Sequence, residues 1–167
     1  AALARSMASE RALRDSQHAL QRKGDAMRES EQRFRLMADG APVPIWMSDP
    51  AKKFTWFNKA WLDFVGCEMA QAVGDGWAAN VHADDLYDCV QNYLRAFEAR
   101  EPFVVEYRLR RHDGAYRWML DNGRPLYEPD GAFKGYIGSC MDITDRKLTE
   151  DNLRFIAHEI QHRSKNI

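Results

Sequence analysis

Cysteine is scarce in this chain of 167 residues, where the three copies lie far apart at Cys67, Cys89 and Cys140. An odd number of widely spaced cysteines argues against a disulfide framework and a structural zinc site, so we expect a reducing, cytoplasmic setting. Neither sign of charge is in excess, with 24 basic and 25 acidic residues, so nothing indicates a nucleic-acid partner. No apolar run approaches the roughly 20 residues that a bilayer span needs, and no membrane contact is expected.

Proline and aromatic residues are nearly absent from both ends of the chain. All 6 prolines lie within residues 42–129, and every aromatic residue except Phe155 lies within residues 34–136. The first residues include neither a start methionine nor a signal-peptide core, which indicates a piece of a longer protein. These shifts in composition predict three segments: a helical linker over 1–30, a domain of ordinary size over 31–144 and a second helix over 145–167.

The N-terminal segment carries a narrow apolar stripe. Leu13, Leu20, Met27 and Phe34 recur every seven residues, but polar residues and Gly24 occupy the other core positions of the heptad. The pattern predicts a helix in a weak coiled coil. A plain solvated helix is the alternative, because isolated helices are marginal in water.

The C-terminal segment has a better stripe. Leu153, Ile156, Ile160 and Ile167 follow the 3–4 spacing of a heptad seam. A helix with a single apolar seam needs a partner, and the simplest one is a second copy of the same helix. We therefore expect a homodimer formed through the flanking helices, in either a parallel or an antiparallel sense.

Between these segments the pattern predicts a mixed domain. Short apolar runs over 43–48 and 54–57 are typical of strands, and Asn58 can cap a helix that Gly66 ends. Asp84 and Asp85 precede a helical pattern over 86–99. Three further strands are predicted over 103–110, 116–121 and 133–144, joined by tight turns. The fold class is therefore α+β, one five-stranded antiparallel sheet with its helices on one face.

The strand predicted over 116–121 shows the two-residue alternation that is typical of a β-strand. One set is Tyr116, Trp118 and Leu120, and the other is Arg117, Met119 and Asp121.

Five short motifs in this region resemble those of PAS domains and occur in the same order. They are Glu31–Arg35, Phe57–Trp61 followed by Gly66, Val81–Asp85, Arg108–Trp118, and Asp142-Ile143-Thr144. The resemblance implies the PAS fold and a sensory or regulatory role. It also implies that Asp142, Ile143 and Thr144 form the junction through which a signal passes into the exit helix.

The resemblance does not name a cofactor. Light-reactive PAS domains carry a cysteine in a stretch that corresponds here to residues 73–80, and this stretch has none. Haem needs an axial donor that faces a cavity, whereas His82 and His112 lie beside predicted turns. Flavin and haem are therefore not supported by a motif, and no cofactor is evident in the domain. The tryptophans either fill the core or line a pocket for a flat or apolar ligand; they are Trp46, Trp56, Trp61, Trp77 and Trp118.

Two motifs overlap near the C-terminus. Residues 158–162 read His-Glu-Ile-Gln-His, which matches the two-histidine pattern of zinc proteases. That chemistry needs a third ligand and an enclosing domain, and no His, Asp or Glu follows His162. We therefore expect no metal site.

The second motif, His162-Arg163-Ser164-Lys165-Asn166, resembles the phosphoacceptor box of the HWE and related sensor histidine kinases. The resemblance implies that His162 accepts a phosphoryl group, with support from Arg163, Lys165 and Asn166. A separate kinase domain would bind ATP, and a response regulator would take the phosphoryl group onward. The chain has no nucleotide-binding motif of its own, so we expect it to be inactive alone. A ligand- or cofactor-binding sensor and a pure dimerisation scaffold are the alternatives.

Overall fold

The structure, a computed structural model, describes residues 2–164, with side chains described for residues 3–163. The chain divides into two compact units after Gly40. None of the helices between residues 2 and 164 is long and apolar enough to cross a membrane.

The first unit is one helix, α1, over Ala2–Asp39. It continues past Ser30, where the predicted linker ends, because no proline or glycine interrupts residues 25–39. Ion pairs one turn apart support this part, with Arg33 and Arg35 each 2.8 Å from a glutamate four residues earlier. The heptad side chains of α1 are exposed, from 41 % at Phe34 to 73 % at Met27.

The second unit contains one antiparallel sheet of five strands in the order β2-β1-β5-β4-β3. This confirms the predicted fold class. β5 stops two residues before its predicted end, since Thr144 already belongs to the following helix, and β4 continues six residues beyond Asp121. The strands are β1 (Ile45–Ser48), β2 (Phe54–Phe57), β3 (Phe103–Arg110), β4 (Tyr116–Tyr127) and β5 (Phe133–Asp142).

The helices between β2 and β3 pack on one face of the sheet. They are α2 (Lys59–Val65), α3 (Met69–Ala72), a 3-10 helix (Gly76–Asn80) and α4 (Ala83–Ala99). As predicted, the Asn58 side chain accepts a hydrogen bond from the Trp61 amide at 3.0 Å, and Gly66 ends α2 with a left-handed backbone, φ 76°.

α4 begins three residues before its predicted start. His82 caps it, with ring nitrogen Nδ1 accepting a hydrogen bond from the Asp84 amide at 3.1 Å. Asp84 and Asp85 therefore lie in the first turn, where negative charge favours the helix dipole.

The core lies between this helical layer and the inward face of the sheet. Its side chains come from every strand and from α2, α3 and α4, and many are aromatic. Among the largest fully buried side chains are Tyr136, Phe57, Leu109 and Met119.

The alternation predicted for β4 is present, but its buried side carries Met119, 1 % exposed, and Asp121, 5 % exposed. Trp118 and Leu120 are half-buried on the opposite face.

The last helix, α5 (Thr144–Ser164), is separated from the end of β5 by one residue.

Candidate functional site

A small cavity lies inside the core between the sheet and the helices. Its volume is about 20 Å³, which is room for one water molecule. Its walls are almost entirely aromatic and apolar, and Asp121 is the one carboxyl among them. The lining residues are Trp46, Phe54, Phe57, Trp61, Trp77, Cys89, Tyr93, Phe103, Tyr107, Leu109 and Asp121.

Three of the five tryptophans line this cavity, so the sequence argument for a Trp-lined interior applies to Trp46, Trp61 and Trp77 only. Trp56 and Trp118 lie half-buried elsewhere. The two histidines considered as haem ligands also lie away from the cavity. His82 caps α4, and His112 lines a separate surface groove beside Gly66 and Cys67.

One wall of the cavity depends on two glycines in the sheet. The strand register places Trp46, Gly138, Gly123 and Phe103 in one row across β1, β5, β4 and β3. A Cβ atom at Gly138 would come within 2.2 Å of the Trp46 ring, and one at Gly123 within 2.1 Å of the Phe103 ring. The two rings therefore lie over the glycines and meet with their centroids 6.2 Å apart.

Asp121 is held by hydrogen-bond donors from β1 and β3. The indole Nε1 of Trp46 donates to both carboxyl oxygens at 3.0 and 3.1 Å, and the Tyr107 hydroxyl donates to Oδ2 at 3.3 Å. Burial raises the pKa of Asp121 to about 7, although these hydrogen bonds favour the ionised form. Sequence reasoning did not single out this residue, because the alternation along β4 shows two faces without showing which one is buried.

A second candidate site is the junction between β5 and α5, formed by the predicted residues Asp142, Ile143 and Thr144. Arg117 Nε donates to Asp142 Oδ2 at 2.8 Å, and the Trp118 amide donates to the Thr144 hydroxyl at 2.9 Å. The Ile143 amide bonds to the Trp118 carbonyl at 2.8 Å, and its side chain is 6 % exposed. The structure thus brings all three residues together against β4.

The electrostatics of the junction favour a charged Asp142. Burial alone would raise its pKa, but hydrogen bonds from Thr144 and Arg117 outweigh burial and lower it. The carboxyl also accepts from the Thr144 amide at 3.0 Å, which caps the start of α5. The charge on Asp142 and the first turn of α5 are therefore linked.

The first turn of α5 has a further attachment to β3. Arg146 Nη2 donates to Glu106 at 2.6 Å, and Lys147 pairs with the other oxygen of the same carboxylate. Lys147 also lies over the Trp118 ring, 4.8 Å from its centroid. Sequence reasoning had not identified Glu106 or Trp118 as contacts of this helix.

The same tryptophan connects α5 with the start of α4. The Arg108 guanidinium lies 5.1 Å from the Trp118 ring centroid and forms two 2.8 Å hydrogen bonds with Asp85. Hydrogen bonds from the Arg108 side chain lower the pKa of Asp85. These contacts join the N-terminus of α4, two strands and the first turn of α5. The residues that form them are Asp85, Arg108, Trp118, Lys147 and Glu106.

The histidine motif lies near the end of α5. His162 and His158 are both exposed, and Arg163 Nε donates to Glu159 Oε1 at 3.1 Å. Among the residues that the structure describes, no group of three His, Cys, Asp or Glu side chains could hold a metal ion. The predicted supporting residues Lys165 and Asn166 lie outside the described part of the chain, as does Ile167 of the predicted seam.

A family model described as the PAS fold matches residues 54–140, which is just over half of the chain. The chain therefore belongs to the PAS fold family. The match includes every residue that lines the cavity except Trp46, together with most of the sheet, and the sequence resemblance to PAS domains is confirmed.

Several similar proteins are histidine kinases by name. A sensory box histidine kinase/response regulator from Burkholderia thailandensis matches with 29 % identity and a TM-score of 0.58, over 78 % of this chain and 98 % of that structure. The peroxide stress-activated histidine kinase mak1 of Schizosaccharomyces pombe is 28 % identical over 136 residues, 78 % of this chain. The uncharacterized protein y4lL of Sinorhizobium fredii is 37 % identical over 142 residues, 85 % of this chain.

This chain spans 17 % of the length of y4lL and 8 % of mak1. The similarity establishes a PAS sensor domain related to those of histidine kinases.

Proposed function

We propose that this chain is the PAS module of a two-component sensor histidine kinase of the HWE-related type and acts in the cytoplasm. A change in the packing of the core would pass through Asp142-Ile143-Thr144 into α5. α5 would then present or withhold His162 as the phosphoacceptor. The observation that carries this proposal is the bonded junction between β4 and α5, on a helix whose far end exposes His162.

The chemistry of His162 suits this role. A neutral imidazole is nucleophilic near pH 7, and an exposed one can reach a nucleotide held by another domain. Its ring nitrogen would attack the γ-phosphorus of ATP, forming a P–N bond as the bond to ADP breaks. Arg163 and Lys165 would offset the phosphoryl charge, Asn166 would complete the box, and a response regulator would receive the phosphoryl group.

Dimerisation is the second part of the proposal. The apolar side chains Leu153, Ile156 and Ile160 of α5 are 62 %, 53 % and 62 % exposed. A second copy of α5 would bury this seam, and the stripe on α1 offers a weaker contact of the same kind. Such a paired helix can carry a change of register or pitch toward His162.

The test is autophosphorylation of the full-length kinase that contains this chain. His162→Ala should abolish labelling, whereas His158→Ala, which changes an exposed histidine one turn earlier on the same helix, should leave it unchanged. Labelling that survives His162→Ala, or that only His158→Ala removes, would contradict the assignment.

Transmission is tested separately by inserting one residue after Arg146. The insertion rotates the rest of α5 by about 100° relative to the junction. Basal labelling or its response to the stimulus should change, and an insertion without any effect would remove the junction from the mechanism.

A second candidate function is direct ligand sensing by the core. The aromatic lining of the cavity, with one carboxyl acceptor, favours it. A ligand larger than water would require the cavity to open, for example by movement of Trp77 on its short helix. An absorption spectrum and native mass spectrometry of the purified protein test this. A bound chromophore or a mass above that of the protein alone supports ligand sensing. The mass of the protein alone, with no absorption at wavelengths longer than the protein band, counts against it.

A further inference from the structure

Asp121 is a buried carboxyl without a basic partner. The groups acting on it are the Trp46 indole, the Tyr107 hydroxyl and the Cys140 thiol, and no basic side chain among residues 3–163 forms an ion pair with it. A buried carboxylate without a counter-charge carries a large desolvation cost, which binding a proton removes.

The titratable groups that face Asp121 from other elements stay neutral near pH 7. α4 contributes Cys89 and Tyr93, and burial raises the pKa of each to about 12. Tyr107 on β3 and Cys140 on β5 are fully buried, and burial raises the pKa of both well above their ordinary values. Asp121 is therefore the member of this cluster that changes charge within the physiological range.

Charged groups near this cluster are already compensated. Asp85 on α4 acts on Cys89, but its own carboxylate is paired with Arg108. Asp49, which follows β1, acts on Tyr93 and accepts hydrogen bonds from the Ala51 and Lys53 amides. Neither is placed to neutralise Asp121, and both are negative, so they do not favour its ionised form.

The space beside Asp121 limits how the structure can respond to a charge there. The cavity has room for one water molecule, and its other walls are mostly apolar. An ionised carboxylate has unfilled acceptor positions that these walls cannot satisfy. The domain must therefore admit more water or move the aromatic walls when the proton leaves.

We propose that Asp121 is a proton-binding site in the core, and that loss of its proton loosens the aromatic packing around the cavity and the adjoining part of β4. β4 also carries Arg117 and Trp118, which hold the first turn of α5. A proton taken up at Asp121 therefore tightens the strand to which the exit helix is attached. The proposal concerns the domain alone and does not depend on the role of His162.

The direction of the effect follows from linkage. An aspartate in the unfolded chain loses its proton near pH 3.9, whereas burial keeps Asp121 protonated to about pH 7 in the folded domain. Between these values the folded state binds more protons, so stability decreases as the pH rises and becomes constant above about pH 7.

The first test is a pH titration of the wild-type domain, followed by NMR at the Trp46 indole N–H, which Trp46→Phe assigns. The signal should shift between pH 5 and pH 9 with a midpoint near neutral pH. Asp121→Asn should abolish this shift, and Asp130→Asn, which changes an exposed aspartate in the β4–β5 turn, should retain it. A Trp46 signal that stays constant across this range in the wild type overturns the proposal.

The second test compares urea unfolding of the wild type and Asp121→Asn from pH 5 to pH 8. As the pH rises towards 7, the unfolding equilibrium constant of the wild type should increase relative to that of the variant, by up to tenfold per pH unit. A ratio that does not change with pH contradicts the proposal.

Tyr107→Phe keeps the proposal testable if Asp121→Asn does not fold. The Tyr107 hydroxyl donates to the ionised carboxyl, so its removal should move the Trp46 midpoint to higher pH. An unmoved midpoint contradicts the proposed site.

Discussion

The helices α4 and α5 have similar lengths, 17 and 21 residues, but they differ in what they bury. α4 places Cys89, Tyr93 and Phe97 in the core of its own domain, each less than 10 % exposed. α5 leaves Leu153 and Ile160 62 % exposed, although with Ile156 they follow the 3–4 spacing of a heptad seam.

The difference separates two sources of stability. α4 is stabilised by packing within its own chain, and its N-terminus is fixed by the Asp85–Arg108 pair. The bonds that the described residues show between α5 and the sheet lie at its first turn, through Thr144, Arg146 and Lys147. The rest of α5 needs another surface to cover its apolar side.

The largest expected effect is at Phe97 in α4. Its ring is 2 % exposed and stacks on Tyr136 with centroids 5.5 Å apart. Phe97→Ala leaves a cavity and should lower the free energy of unfolding by about 3–5 kcal/mol in a urea titration. Tyr87→Ala, 72 % exposed on the same helix, should change it by less than about 0.5 kcal/mol. Equal effects would show that α4 does not pack as described.

The opposite behaviour is expected for α5. At a protein concentration where both proteins are monomeric, Ile156→Ser should leave the urea midpoint of the domain unchanged, because the side chain is 53 % exposed. It should weaken dimerisation by about 2–3 kcal/mol, which is roughly 30- to 150-fold in the dimer dissociation constant. Sedimentation equilibrium measures this, with Asp151→Ser as the exposed polar control. A dimer unaffected by the change at Ile156 would mean that the seam is not the interface.

An intermediate effect is expected at the N-terminus of α4. The Arg108 hydrogen bonds lower the pKa of Asp85, so its ionised form stabilises the fold at every pH above the unfolded value of about 3.9. Asp85→Asn should cost about 2 kcal/mol at pH 7, and the difference should shrink as the pH falls below about 4. Urea titrations at pH 7 and pH 3 measure this, with Asp88→Asn as the control. A cost that is equal at both pH values would exclude the ion pair as its cause.

The smallest effect is expected at the junction. Arg117→Ala removes the 2.8 Å bond to Asp142 and should lower the stability by about 1 kcal/mol. Its local effect is more specific, because the amides of residues 144–148 should exchange faster while those of α4 do not. Arg124→Ala, an exposed position on the same strand, is the control. Hydrogen exchange that stays unchanged in the first turn of α5 would show that Arg117 does not hold this helix.

The sequence was sufficient for the elements with strong local signals. The Asn58 cap, the Gly66 stop and the turns between β3, β4 and β5 each have a local cause, and the structure contains all of them. The start of α4 was misplaced because a histidine, which is a less usual capping residue, supplies the cap through its ring nitrogen.

The candidate site was predictable only in part. The residues of the junction were identified from a motif. Arg117, which bonds to Asp142, and Glu106, which pairs with Arg146 in the first turn of α5, lie on other strands, and pairing across strands is not visible in a local pattern. Asp121 was missed because alternation shows that a strand has two faces without showing which face is buried. The glycines inside β4 and β5 were a usable signal, since glycine within a strand marks a close approach.

The row of Gly138 and Gly123 has a consequence for relatives with this fold. The space left in the middle of the domain is governed by how flat the rings of Trp46 and Phe103 lie on the sheet. A relative with alanine in place of either glycine must tilt or replace the ring above it, and this changes the volume of its cavity. We therefore expect the residues at these two positions to influence the cavity volume of related domains.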